Sequence, residues 1–160
     1  AVARDVASSA VTIETAREIY GVVINNDRVD RAATDQQRKM LREARVGQFD
    51  TDPARRSTAT PIASLSENLF VVQDERGTHI VSRAGYILAT DSTAWRKGAK
   101  SVTLEKLPSH YRIDMHADLR CTMHYCPASG SLLVVDFHRR DEQPKDDLVL
   151  DIASIPRLAA

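Results

Sequence analysis

The sequence predicts an α+β protein, with an N-terminal helical arm followed by a small antiparallel β domain. Three changes of texture along the chain carry this prediction. Residues 1–49 offer helix caps and helical spacing of apolar positions. Residues 50–67, with Pro53, Pro61 and many Ser, Thr and Ala, lack periodicity and read as a linker. From Asn68 onward, across 68–160, apolar residues come in short runs bounded by turn-formers, the pattern of short strands.

Within the arm, Thr12 is placed to cap a short helix over Ile13–Tyr20, with Glu14 in its first turn and Gly21 as its stop. The triplet Val22-Val23-Ile24 and the turn Asn25-Asn26-Asp27 follow. Asp30 is a suitable N-cap for a second helix running to about Val46, closed by Gly47. Its apolar face (Ala33, Gln37, Met40, Leu41 and Ala44) is thin beside the charged Arg31, Asp35, Arg38, Lys39, Arg42, Glu43 and Arg45. So weak a stripe predicts an arm that packs on another subunit.

In the β domain, Leu69–Val72, the turn Glu75-Arg76-Gly77-Thr78 and His79–Val81 predict a hairpin. Leu119–Cys126 and Ser131–Phe137, joined through Pro127-Ala128-Ser129-Gly130, predict another. Between them lie a short Asp91–Gly98 segment around Trp95, a strand near Val102–Leu107 and an extended stretch near Tyr111.

Composition removes several functions. The 160 residues hold 22 Lys or Arg and 22 Asp or Glu, a net charge of zero. Residues 1–60 carry ten basic and nine acidic side chains, so neither half is a basic lobe. Affinity for nucleic acid rests on phosphate contacts, and no nucleic acid partner is expected here. No apolar run approaches the ~20 residues a membrane helix needs, so no membrane is expected. Ala1-Val2-Ala3-Arg4-Asp5 has no basic-then-apolar leader pattern, and Cys121 and Cys126 make no disulfide framework. The expected location is cytoplasmic.

The stretch Cys121-Thr122-Met123-His124-Tyr125-Cys126 is the first place to look for chemistry. On a strand, Leu119, Cys121, Met123 and Tyr125 share one face, and Arg120, Thr122, His124 and Cys126 the other. Cys121 reads most simply as a buried core thiol. Cys126 beside His124 could form a thiolate–imidazole pair, but no third orienting group is evident. A metal site needs three or four convergent ligands. His110, His116 and His138 are available, yet their spacing does not require one. Gly85, Gly98 and Gly130 are isolated turn residues, so no phosphate-cradling loop is present. Asp136, Asp146, Asp147, Asp151 and the Arg139-Arg140-Asp141-Glu142 cluster read as solvated surface. No catalytic, cofactor-binding or metal-binding residue is expected, although a redrawn metal site of Cys121, His124 and Cys126 stays open.

An ordered set of residues resembles the small gamma subunits of the acetone carboxylase family. The set is Leu69-Phe70-Val71-Val72-Gln73, Gly85, Trp95-Arg96-Lys97, Tyr125-Cys126-Pro127-Ala128-Ser129-Gly130-Ser131-Leu132 and Leu150-Asp151-Ile152, covering about 68–155. The first 47 residues resemble something else, the tail of the large B-type subunits of the N-methylhydantoinase and ketone carboxylase family. That likeness rests on Val2-Ala3-Arg4-Asp5-Val6, Glu14, Ala16, Tyr20-Gly21-Val22-Val23, Val29-Asp30 and Ala33-Thr34. The combination is similar to the gamma-type subunit of acetophenone carboxylases.

The resemblance implies a non-catalytic subunit of an ATP-dependent ketone carboxylase, converting acetophenone, bicarbonate and ATP to benzoylacetate. Large hydantoinase A/B-like subunits would be the partners in a hetero-oligomer and would hold ATP and a divalent metal. A different reading is a ribbon- or OB-like adaptor domain binding an acyl-CoA or nucleic acid. An independent hydrolase using Cys126 and His124 is a third.

The family's gamma subunits carry two Cys knuckles, the layout of a structural zinc ribbon. Here the first reads Val81-Ser82-Arg83-Ala84-Gly85, without a thiol, and the second keeps Cys126 but has Ser129 in place of the other Cys. A degenerate ribbon without stoichiometric zinc is therefore expected, with Val81, Ala84 and Cys126 buried in place of the metal. Residues 1–47 are expected to dock on a large subunit.

Overall fold

A computed structural model describes residues 1–91, 94–107 and 114–144. The protein is α+β, and it divides into two compact units, Ala1–Gln48 and Phe49–Ala160.

The first unit contains α1 (Val2–Ala7), α2 (Ile13–Glu18), a minimal hairpin of β1 (Ile24–Asn25) and β2 (Arg28–Val29), and α3 (Arg31–Val46). Local chemistry sets these boundaries. Thr12 Oγ1 accepts from the Thr15 N–H and Asp30 Oδ1 from the Ala33 N–H, each at 3.0 Å, so both expected caps satisfy orphan helix donors. Asn26 and Asp27 both take positive φ, 49° and 60°, the two-residue turn that matches hairpin twist. Gly21 at φ 60° ends the second helical segment, which closes at Glu18, two residues short of the expected Tyr20. Helix α1 was not anticipated, because six residues are too few to show a period.

The buried face of α3 differs from the expected stripe. Met40 is 48 % exposed and Ala44 is also exposed, whereas Thr34 is buried and Gln37 and Leu41 are partly covered. The helix turns toward Thr34 because a polar bond holds it there: Thr34 Oγ1 accepts from the Val23 N–H at 3.0 Å. An apolar count could not reveal that anchor.

In the second unit the expected linker is partly structured. Pro53–Arg55 forms one turn of 3-10 helix capped by Asp52, and Pro61–Ser64 forms strand β3. A four-stranded antiparallel sheet runs in the order β3, β4 (Leu69–Asp74), β5 (Gly77–Ser82), β6 (Ile87–Thr90). Strand β3 lies at the edge and starts with Pro61, where a missing N–H costs no ladder bond. That placement reconciles a strand with a proline-containing segment. The hairpin β4–β5 pairs in unbroken register from Leu69↔Ser82 to Asp74↔Gly77.

A three-stranded antiparallel sheet follows in the order β7 (Lys100–Leu104), β8 (Leu119–Tyr125), β9 (Leu132–Arg139). One turn of 3-10 helix, Trp95–Gly98, precedes β7. The extended stretch expected near Tyr111 lies outside the described residues. The core gathers Leu69, Ile80, Tyr86, Leu88, Trp95, Cys126 and Leu133, drawing on both sheets and both connecting turns.

Candidate functional site

Two places in the second unit bring chemistry-bearing residues together. One lies where β5 and β8 end. Gly85 N–H donates to the Ser82 carbonyl at 2.8 Å, and Gly130 N–H to the Cys126 carbonyl at 2.8 Å. Each strand thus finishes in a tight turn containing a positive-φ glycine, Gly85 at 71° and Gly130 at 63°. The turns face one another, and the Cys126 thiol donates to Ser82 Oγ at 3.2 Å. Val81, Ser82 and Cys126 are buried, as is Cys121. Ala84 is exposed, contrary to expectation, because it occupies the outer limb of the first turn. Ser82 points inward instead. Among the described residues no group of three or more His, Cys, Asp or Glu is arranged to hold a metal ion.

The other place is one face of the three-stranded sheet. Antiparallel register sets Ser101 opposite His124 and Thr103 opposite Thr122, with Val134 and Asp136 beside them on β9. His124 Nδ1 lies 2.8 Å from Ser101 Oγ, and Nε2 lies 2.9 Å from Asp136 Oδ2. Arg96 clamps the same carboxylate, Nε to Oδ2 at 2.9 Å and Nη2 to Oδ1 at 3.3 Å, while its guanidinium lies 4.9 Å over the Trp95 ring centre. Trp95 meets His124 edge-on, with centroids 5.9 Å apart. Farther along the face Thr122 Oγ1 lies 2.9 Å from both Thr103 Oγ1 and His138 Nε2.

Burial of the Asp136 carboxylate would raise its pKa. The Arg96 hydrogen bonds and charge, with His124, outweigh this and hold it below the ordinary carboxylate value. It is therefore an ionised acceptor. Burial pushes the Cys121 thiol up, reinforced by the Asp136 charge, so Cys121 is an inert core thiol.

A bulge between His124 and Tyr125 breaks the simple alternation, and Cys126 leaves the strand for the turn. His124 accordingly engages Ser101 and Asp136, while the Cys126 thiol donates to Ser82. Asp136 is not the solvated acid that its position near the C-terminus suggested. Arg139, Arg140, Asp141 and Glu142 are exposed, as read. His116 is exposed beside Asp118, and His138 joins the polar face. His110, Asp146, Asp147 and Asp151 lie outside the described residues.

Sequence reasoning missed the roles of Ser101, Thr103 and Asp136. Alternation was the available signal, since polar residues at 101/103, 122/124 and 136/138 mark one face. It also missed a similar arrangement in the other sheet. There His79 sits between Thr90 Oγ1 and Asp74 Oδ1, each at 2.9 Å, and Arg76 and Ser57 hold Asp74.

No family model and no curated protein matches the chain.

Proposed function

We propose that the chain is a non-catalytic docking and assembly subunit of an ATP-dependent ketone carboxylase, of the kind that acts on acetophenone. The observation that carries this reading is how little the first unit buries. Ala16, Val22 and Val46 are its buried apolar residues, while Ile13, Tyr20, Val29 and Met40 remain 42–56 % exposed. At ~25 cal/mol per Å², those four side chains offer a partner several kcal/mol of binding energy. A surface of that kind suits a segment resembling the tail of a large hydantoinase-type subunit. The resemblance of residues 68–155 to gamma subunits supplies the class of complex, and the two facing turns around Cys126 are consistent with a degenerate ribbon. ATP and divalent metal would then be held by the large subunits.

Co-purification tests the reading. A tagged full chain expressed with large hydantoinase A/B-like carboxylase subunits should form a stoichiometric complex, and deletion of residues 1–47 should abolish its retention. Recovery of the full chain alone, or full retention of the truncated chain, overturns it.

A further inference from the structure

One face of α3 carries a row of arginines. Arg31, Arg38 and Arg42 are separated by seven and four residues. At 3.6 residues per turn they fall close to one line along the helix, about 16 Å from end to end. All three are exposed, and among the described residues none of them forms an ion pair. Lys39, about a quarter-turn around the same helix, is by contrast paired with Glu43.

Helix stability does not account for this row. Arg31 occupies the first helical position, where the helix end favours an acid and opposes a cation, and the first turn holds no acid. Arg38 and Arg42 stand one turn apart, a like-charge spacing that weakens an isolated helix. Asp35 is the one acid on this face, and it too is exposed and makes no ion pair among the described residues. Asp30, beside Arg31, is engaged with the Ala33 N–H and the Asn25 amide. The face thus keeps an excess of positive charge.

The row borders an apolar groove within the first unit. Arg31, Asp35 and Arg38 reach a cavity of about 420 Å³ whose other walls include Val2, Val22 and Val29. Arg42 extends the row one turn beyond it. A helix laid along α3 can seat an aliphatic side chain in such a groove and keep its flanking acids in line with the arginines. Guanidinium and carboxylate pair in a bidentate fork, which fixes orientation as well as charge. A phosphate surface fits less well. Residues 1–48 carry eight basic and seven acidic side chains, so beyond the row a polyanion would meet repulsion as often as attraction.

We propose that α3 docks an acidic, amphipathic helix of a protein partner, with aliphatic side chains in the groove and carboxylates on Arg31, Arg38 and Arg42. This rests on the docking role above, in which that helix belongs to a large subunit.

The test measures binding of the full chain to large hydantoinase A/B-like carboxylase subunits in about 0.1 M and about 1 M sodium chloride. That change shortens the screening length from about 10 to about 3 Å. Native binding should weaken about tenfold across it. Reversing the row, with Arg31→Glu, Arg38→Glu and Arg42→Glu together, should weaken low-salt binding by at least about tenfold and remove the salt dependence. Lysine at the same three positions should recover most of the loss. Asp35→Asn, which removes the one repelling acid, should tighten binding, and this gain cannot come from misfolding. Arg83→Glu, an exposed reversal in the second unit, should change nothing. Circular dichroism checks that the reversed chain keeps its helix, which an acid at position 31 favours. Native-like binding by the reversed chain, or no salt dependence in the native one, overturns the proposal and leaves the docking role standing. Recovery of the native chain without the large subunits overturns both. Tighter binding to duplex DNA or to phosphatidylserine vesicles, lost on reversal, would make the row a phosphate surface and overturn the proposal as well.

Discussion

The Cys126 thiol donates to Ser82 Oγ across 3.2 Å, joining the two tight turns that end β5 and β8. Cys126 is fully buried and belongs to the same core as Tyr86, Trp95 and Leu133. A weak S–H···O bond and apolar packing thus hold the two turns together. Cys126→Ala should cost about 1–2 kcal/mol, the transfer and cavity cost of a small buried side chain. Urea unfolding of native and variant chains should give the same difference with and without EDTA, and metal analysis should find no stoichiometric zinc. About one zinc per chain, or a melting temperature several degrees lower in EDTA, would contradict this account.

Caps, turns and hairpins were legible because their signals are local. Thr12 and Asp30 cap as the sequence placed them. Both hairpins form, the first with Gly77 and Thr78 in the strand instead of the turn and the second with its strand running on to Arg139. What escaped depends on register or on a long-range polar partner. A bulge at His124/Tyr125 moved Cys126 from the His124 face into a turn. Strand β3 was hidden because prolines read as breakers until an edge position removes their cost. The Ser101–His124–Asp136–Arg96 relay draws on three strands and a 3-10 turn across 40 positions, and no spacing rule spans that.

Gly98 shows a constraint of close approach. A Cβ built there would stand 2.0 Å from the Leu88 carbonyl oxygen, with backbone and not a flexible side chain in the way. Gly98→Ala must therefore push the Trp95–Gly98 turn away from β6. That turn carries Trp95 into the core and Arg96 onto Asp136. The expected loss is about 2–4 kcal/mol, read as a lower urea midpoint. Emission of Trp95, the sole tryptophan, should shift to the red as its ring becomes wetter. An unchanged midpoint would show that the turn can move freely.

In the first unit the Val23 N–H to Thr34 Oγ1 bond fixes which face of α3 is buried. Thr34→Val keeps the shape but leaves that N–H without its acceptor, a cost of about 1–3 kcal/mol. Amide exchange should therefore accelerate at Val23 and along α3, with the β-sheet amides of the second unit unaffected. Thr34→Ser, which restores the acceptor, should recover most of the protection. Equal exchange in the valine and serine variants would remove the hydroxyl from this role.

Tyr86 predicts the alkaline limit of stability. Its ring is buried and its hydroxyl donates to Asp50 Oδ2 at 2.7 Å, with the Arg55 guanidinium 5.1 Å over the ring. Burial first, and the bond to the Asp50 carboxylate second, push the phenol from its ordinary value of 10.0 up to about 12. The folded state therefore holds this proton more tightly than the unfolded chain. The resulting stabilisation is complete below about pH 10 and is lost as pH rises from there toward 12. Two pH units correspond to about 2–3 kcal/mol. The same bond holds Asp50 below the ordinary carboxylate value, so Asp50 remains ionised throughout this window. Urea midpoints measured across it should fall steadily in the native chain. Tyr86→Phe should start less stable and show a much flatter alkaline profile, because the phenol that titrates late is gone. Parallel declines in the two chains would assign the alkaline loss to other groups.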